Sequence, residues 1–221
     1  MKLTILMPTT RFENLPQIKQ IYEQAMVSLP GLQLRWRVLL VESQVVPPEA
    51  RELLREPWID VCVFDAPQRA WVWSTPFYYK INCALDSVQP DEWVWAQEDD
   101  NLAPPGIFEV WSRAIVRGRG VVVASCKRGQ RQPGIKHATT TLVASPESMR
   151  PGHVDLGQYI LRGDIAATYR YPDISCGDGI LVQTLWQRIP QEFMFLPGTF
   201  VLFNALEPGR WDSDALQKEL V

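Results

Sequence analysis

Apolar runs of strand length alternate along this chain with segments whose apolar residues recur every three or four positions. Leu3–Met7 is a short apolar run closed by Pro8, which predicts a first strand and then a Thr9-Thr10-Arg11 loop. Over Glu13–Leu29, the residues Leu15, Ile18, Ile21, Tyr22, Ala25, Met26 and Leu29 keep helical spacing. Leu34–Val41 predicts a second strand ending in Glu42-Ser43, Pro47-Pro48 opens a short helix through Leu54, and Ile59–Phe64 predicts a third strand. Phe77–Val88 sets Tyr78, Ile81, Leu85 and Val88 on or near one helical face. Glu92–Gln97 predicts a buried strand, Pro105–Val116 a helix begun at proline, and Val121–Ser125 a further strand. This alternation predicts an α/β fold, with a mostly parallel open sheet flanked by helices on both faces.

The rhythm changes after Ser125. Lys127–Gly134 is basic and rich in turn formers, so it predicts a loop. Thr139–Ala144 and Gln158–Leu161 predict strands in a smaller antiparallel part, and Ile180–Ile189 predicts a helix entered through Cys176-Gly177-Asp178-Gly179. Phe193–Leu196 and Phe200–Phe203 predict two short strands, and Asp212–Leu220 a last helix capped by Asp212 or Ser213. With no internal repeat or linker, residues 1–221 are expected to form one domain, a nucleotide-type half at 1–125 fused to an acceptor-side half at 126–221.

Composition narrows the function. A net charge of −3 gives no general attraction to nucleic acid or anionic lipid. The apolar runs are too short to span a membrane. The opening Met1–Pro8 lacks the length and the cleavage pattern of a signal peptide. Cys62, Cys83, Cys126 and Cys176 are widely spaced without a CxxC pair, which fits reduced thiols in a cytoplasmic protein.

The residues that packing does not explain are Glu98-Asp99-Asp100, at the carboxyl end of the Glu92–Gln97 segment. Carboxylates gathered there repel one another and are costly to desolvate. A hard divalent cation, Mg2+ or Mn2+, relieves that conflict. If the segment stays extended, Glu98 and Asp100 share one face, beyond the strand ends where open α/β sheets bind ligands. The competing reading is acids that complement the positive end of the helix near Pro105, although one acid would serve as a cap.

Together these segments resemble GT-A fold glycosyltransferases, most closely the family 2 group. The resemblance rests on the order of Ile5-Leu6-Met7-Pro8-Thr9-Thr10-Arg11, Leu39-Leu40-Val41-Glu42-Ser43, Tyr79-Lys80-Ile81-Asn82, Glu98-Asp99-Asp100 and Asp178. Val41-Glu42 and Asp99-Asp100-Asn101 are also locally similar to inverting glucuronosyltransferases. The resemblance implies a metal-dependent, inverting transfer from a UDP-, GDP- or dTDP-linked sugar to a saccharide or other hydroxyl acceptor. It implies Pro8, Thr9, Arg11, Glu42, Lys80, Glu98, Asp99 and Asp100 at the donor, and Glu98-Asp99-Asp100 in the place of a DXD motif. Asp100 is expected to touch the metal, and Glu98 either the ribose or a metal-bound water. Asp178 is expected to be the catalytic base, with Asp173 and Asp164 as rivals, and its flanking glycines are expected to admit a substrate. Two features depart from the family: Glu in the first DXD position, and His137 and His153, the only histidines, both before Asp178. Trp71 and Trp73 are candidates for lining the donor or acceptor pocket. The basic Lys127–Lys136 segment suggests an anionic acceptor, although net charge argues against nucleic acid. Two other functions compete: a sugar-phosphate nucleotidyltransferase, whose glycine-rich loop is missing after Pro8, and a non-catalytic nucleotide-sugar-binding protein.

Overall fold

The computed structural model describes residues 1–65, 75–132, 135–211 and 213–220, with the side chains of 75–76, 130–132, 135–139, 213–215 and 219 outside the description. Trp71, Trp73, Asp212 and the side chain of His137 therefore lie outside the described residues.

The chain runs β1 (Lys2–Pro8), α1 (Leu15–Ser28), β2 (Gln33–Val41), α2 (Pro48–Leu53), β3 (Ile59–Phe64), α3 (Thr75–Leu85), β4 (Trp93–Ala96) and α4 (Ile107–Ile115). It continues with β5 (Val121–Gln132), β6 (Ile135–Leu142), β7 (Tyr159–Arg162), α5 (Gly163–Thr168), α6 (Gly177–Arg188), β8 (Phe193–Phe203) and α7 (Ser213–Leu220). The strands form one eight-stranded sheet in the order β3-β2-β1-β4-β7-β5-β6, with β8 also on β5. β1, β2, β3 and β4 are mutually parallel, and β8 is parallel to β5. β7 is antiparallel to both β4 and β5, and β6 is antiparallel to β5. This is the expected mixed α/β architecture.

Alternation along each strand sorts the core onto two faces. Leu3, Ile5 and Met7 of β1 join Trp36, Val38, Trp95, Phe108 and Trp111 on the α1/α4 side. Leu6, Leu39, Val94 and Val123 face the other way, against Ile81 and Leu85 of α3 and Leu181 and Leu185 of α6. Both clusters are closed by helices, which brings the carboxyl ends of β1, β2 and β4 together at one rim.

Three expectations change. Lys127–Gln132 is not a loop: β5 runs through it, across the 125/126 position, and pairs with β6 as a hairpin. The basic charges do not break the strand, because Lys127 lies over the Phe200 ring at 4.7 Å and Arg128 over Phe203 at 4.9 Å. Nor are there two strands at 193–203. β8 is continuous, and Pro197-Gly198 forms a bulge where the register on β5 shifts between Ala124 and Ser125. The Ser125 hydroxyl fixes that bulge by donating to the Pro197 carbonyl at 2.9 Å. Finally α5, a short helix with only six residues of signal, was not predicted.

Candidate functional site

The site grows from the end of β1. Thr9, fully buried, donates its amide to the Leu39 carbonyl (3.1 Å) and its hydroxyl to the Met7 carbonyl (3.1 Å). Its own carbonyl accepts from Gln44 Nε2 (2.7 Å), and Gln44 Oε1 accepts the Val41 amide (2.8 Å). Gln44 thus ties the exits of β1 and β2 together. Pro8 is the last β1 residue, and both it and Thr9 are buried. Glu42 stands just past β2, with an exposed side chain. Beyond it, Gln44, Val45 and Val46 border a cavity of about 540 Å3 shared with Arg51, Leu54 and Val61.

The acidic segment is a turn rather than extended chain. β4 ends at Ala96, and the Asn101 amide donates to the Glu98 carbonyl at 3.3 Å. Strand alternation therefore does not orient Glu98 and Asp100. The turn is held from the side by Asn101, whose Oδ1 accepts the Asn204 amide (2.8 Å) and whose carbonyl accepts Gln97 Nε2 (2.9 Å).

The three carboxylates take three different jobs. Asp99 turns back onto the β1 loop: Oδ2 accepts the amides of Thr10 (2.5 Å) and Arg11 (2.7 Å), and Oδ1 accepts Arg11 Nη1 (3.0 Å). Its carbonyl accepts Asn14 Nδ2 at 2.9 Å. Asp99 thus braces the β1 loop. Asp100 is also buried; Arg11 Nη1 reaches its Oδ2 at 3.0 Å, while Oδ1 is buried with no hydrogen-bond partner among the described residues. Burial pushes its carboxyl up to about 6, aided by Asp99 and opposed by Arg11. Glu98 is pushed up to about 8, first by burial and then by Asp100, Asp155 and Asp178. Lys80 of α3 is 4 % exposed, and burial draws its ammonium down to about 8 against the pull of Asp99.

Asp178 opens α6, with its neighbour Cys176 in the left-handed region at φ 60°. Its Oδ1 accepts the Gly179 amide (2.8 Å) and the Tyr78 hydroxyl (3.1 Å). The flanking glycines are there for the fold, not to admit a substrate. A Cβ on Gly177 would overlap the Pro172 carbonyl and stand 3.0 Å from the Tyr78 ring, and one on Gly179 would stand 2.8 Å from Pro151 Cα. The rival Asp164 is spent on its own helix and on Arg162 (2.7 Å), and Asp173 is exposed.

Three participants carry local signals that do not reveal their place in the site. Asp155 faces both Glu98 and Asp178, and it is gripped through two hydrogen bonds by Arg128, from Nε at 2.6 Å and from Nη2. Its own turn was legible, since Asp155 and Gln158 form a capping box. Tyr78 was read only as a helix-face residue. Because Arg128 serves Asp155, and Lys127 lies over Phe200, the basic segment carries internal structure as well as charge. Among the described residues, no three His, Cys, Asp or Glu side chains are arranged as a ready metal cage. His153 lies instead by Thr141, Glu147 and Arg150.

No protein-family model matches the chain, and no curated protein matches it. Solved structures do. TarS from S. aureus (residues 1-349) superposes with a TM-score of 0.55 at 13% identity, over 92% of this chain and 58% of that one. Mannosyltransferase PcManGT from Pyrobaculum calidifontis, solved with GDP-Man and Mn2+, gives 0.61 at 13% identity, over 94% and 58%. A putative glucose-1-phosphate thymidylyltransferase from Bacillus anthracis gives 0.50 at 10% identity, over 100% and 94%. The chain spans a little over half the length of these two glycosyltransferase structures. Its strand order and its likeness to glycosyltransferases of this architecture give the chain the GT-A fold.

Proposed function

We propose that the chain is a glycosyltransferase that moves a sugar from a UDP-, GDP- or dTDP-linked donor to a hydroxyl acceptor, such as a saccharide, with inversion. One observation carries the reading: Glu98, beyond β4, is repelled by Asp100, Asp155 and Asp178, and Asp100 keeps a buried oxygen with no partner among the described residues. Such an arrangement is costly and is relieved by positive charge. The donor set fits a hard cation, since Asp100 Oδ1 is an orphaned carboxylate oxygen and Glu98 is a second oxygen ligand nearby. Mn2+ or Mg2+ held there would supply Lewis-acid stabilisation to a departing diphosphate. PcManGT was solved with GDP-Man and Mn2+, and TarS with UDP, which is the ligand chemistry this reading calls for.

The chain's own groups then divide the work. Arg11, whose side chain is 42% exposed, is braced by Asp99 and Asp100 with open surface left for a phosphate oxygen. Lys80, buried on α3 within electrostatic reach of Asp99, adds positive potential. Glu42, exposed just past β2, is assigned to the nucleoside. Asp178 takes the proton of the acceptor hydroxyl, whose oxygen bonds to the anomeric carbon from the face opposite the diphosphate. The bond from that carbon to the phosphate oxygen breaks, and its electron pair leaves with the diphosphate.

Incubation with UDP-, GDP- and dTDP-sugars and Mn2+, with assay of released nucleoside diphosphate, tests this. Release only with metal supports it. Asp178→Asn is expected to keep donor binding and lose transfer; full activity in that variant moves the base elsewhere. The thymidylyltransferase likeness, which covers nearly the whole of both chains, favours a second reading, nucleotidyl transfer to a sugar phosphate. Pyrophosphate released from a nucleoside triphosphate would support that second reading. Tight donor binding without turnover would leave a binding protein.

A further inference from the structure

Asp178 is held more firmly than a cap needs to be. A helix-opening aspartate usually spends its carboxylate on the first free amides of its own helix, and here only the Gly179 amide is taken in that way. The remaining partner comes from a helix a hundred residues earlier in the chain. The Tyr78 hydroxyl donates to Asp178 Oδ1 at 3.1 Å, and the same oxygen accepts the Asp178 amide at 3.2 Å. The ring that carries it has little freedom. It is 6% exposed, stacks on Tyr171 with centroids 5.6 Å apart and planes 10° apart, and meets Phe77 edge-on at 5.3 Å. Gly177 is the residue that lets the ring come this close.

We propose that Tyr78 is a positioning residue for Asp178: its hydroxyl grips the aspartate by side chain and backbone at once, saturating Oδ1 and leaving Oδ2 as the oxygen that receives the acceptor's proton. This rests on the reading of Asp178 as the base. Among the described residues Oδ2 has no hydrogen-bond partner, while Oδ1 has two. A carboxylate that is free to rotate would present either oxygen in either orientation, and proton transfer needs one fixed geometry within hydrogen-bond reach.

The charge around Asp178 makes the grip measurable. Glu98 from the turn beyond β4, Arg128 on β5, Asp155, Tyr159 on β7 and Tyr171 all face it, in addition to Tyr78 on α3. Burial raises the Asp178 carboxyl, and the Gly179 amide and the Tyr78 hydroxyl pull it back down. Losing a hydrogen bond to the charged form is therefore expected to raise its midpoint by about one unit.

The test is a titration of the full chain labelled with 13C at aspartate carboxyls, with the Asp178 signal assigned by its loss in Asp178→Asn. Tyr78→Phe keeps the stacked ring and removes only the hydroxyl. It is expected to raise the Asp178 midpoint by about one unit and to speed exchange of the Asp178 amide. With Mn2+ and whichever nucleotide sugar is turned over, the acidic limb of kcat is expected to move up by the same amount, with donor KM unaltered. Difluorotyrosine at position 78 provides the opposite displacement: a stronger donor is expected to lower the midpoint. An unmoved midpoint and unmoved amide exchange in either folded protein overturn the proposal. The NMR readouts need no turnover, so a base that lies elsewhere, revealed by an active Asp178→Asn variant, is told apart from a Tyr78 that holds nothing.

Discussion

Asp99 and Asp100 are neighbours in sequence and both are buried, yet alanine at the two positions is expected to act in opposite ways. Asp99 Oδ2 is the acceptor for two backbone amides, Thr10 at 2.5 Å and Arg11 at 2.7 Å, and its side chain is only 4% exposed. Asp99→Ala leaves both amides without that partner. Hydrogen bonds to a charged acceptor contribute about 1.5–3 kcal/mol each. The half-exposed Arg11 adds little. Two amides sum to roughly 3–6 kcal/mol, and the roughly 3–5 kcal/mol seen when one partner of a buried charged pair is removed sets the expected loss. For a chain of this size that is a fall in Tm of roughly 6–20 °C. Asp100 offers nothing comparable: among the described residues Oδ1 has no partner, and Oδ2 holds only the same Arg11. Asp100→Ala removes a buried carboxylate whose folded-state pKa burial raises to about 6, so near neutral pH it is expected to leave stability unchanged or raise it, and to abolish metal-dependent nucleotide binding. Urea unfolding near neutral pH without added metal, followed by tryptophan fluorescence and compared at constant m, measures both. Equal destabilisation by the two variants, or a silent Asp99→Ala, would refute the division between a brace and a ligand group.

Two further outcomes follow from the same geometry. Lys80 has a folded-state pKa drawn down by burial from 10.5 to about 8, so the unfolded chain holds more protons between those values. Stability from this group therefore rises as pH climbs through that window, by on the order of 3 kcal/mol in full, and Lys80→Met removes the rise. Urea curves for the two proteins on either side of pH 8 check it, and parallel pH slopes would count against it. Gly177→Ala puts a Cβ into the Pro172 carbonyl and the Tyr78 ring, and is expected to cost about 1–3 kcal/mol. Gly106, whose added Cβ would meet nothing within 4 Å, is the control: alanine there should melt like the parent.

The periodicity of apolar residues was enough to determine most of the fold. β3 matches its predicted bounds, and β1, β2, β4 and α1 lie within one or two residues of theirs, because each buries one face or both and so carries an unbroken apolar signature. The acids beyond β4 are also legible as charge that packing does not require, whereas Asp178 enters through the family resemblance. Roles within the site were not. Asp99 and Asp100 read alike in one dimension, and only the placement of the Thr10 and Arg11 amides separates a brace from an unpartnered oxygen. Lys127-Arg128 read as a loop because local composition does not reveal that Phe200 and Phe203 lie beneath them on β8. Gly177 and Gly179 were credited to a substrate, when Tyr78 and Pro151 fill that space. Side chains a hundred residues apart set the chemistry of Asp178, and sequence order holds no record of such distances. Strand and helix positions follow from each segment's own burial, whereas the state of a carboxylate depends on whatever the completed fold brings against it.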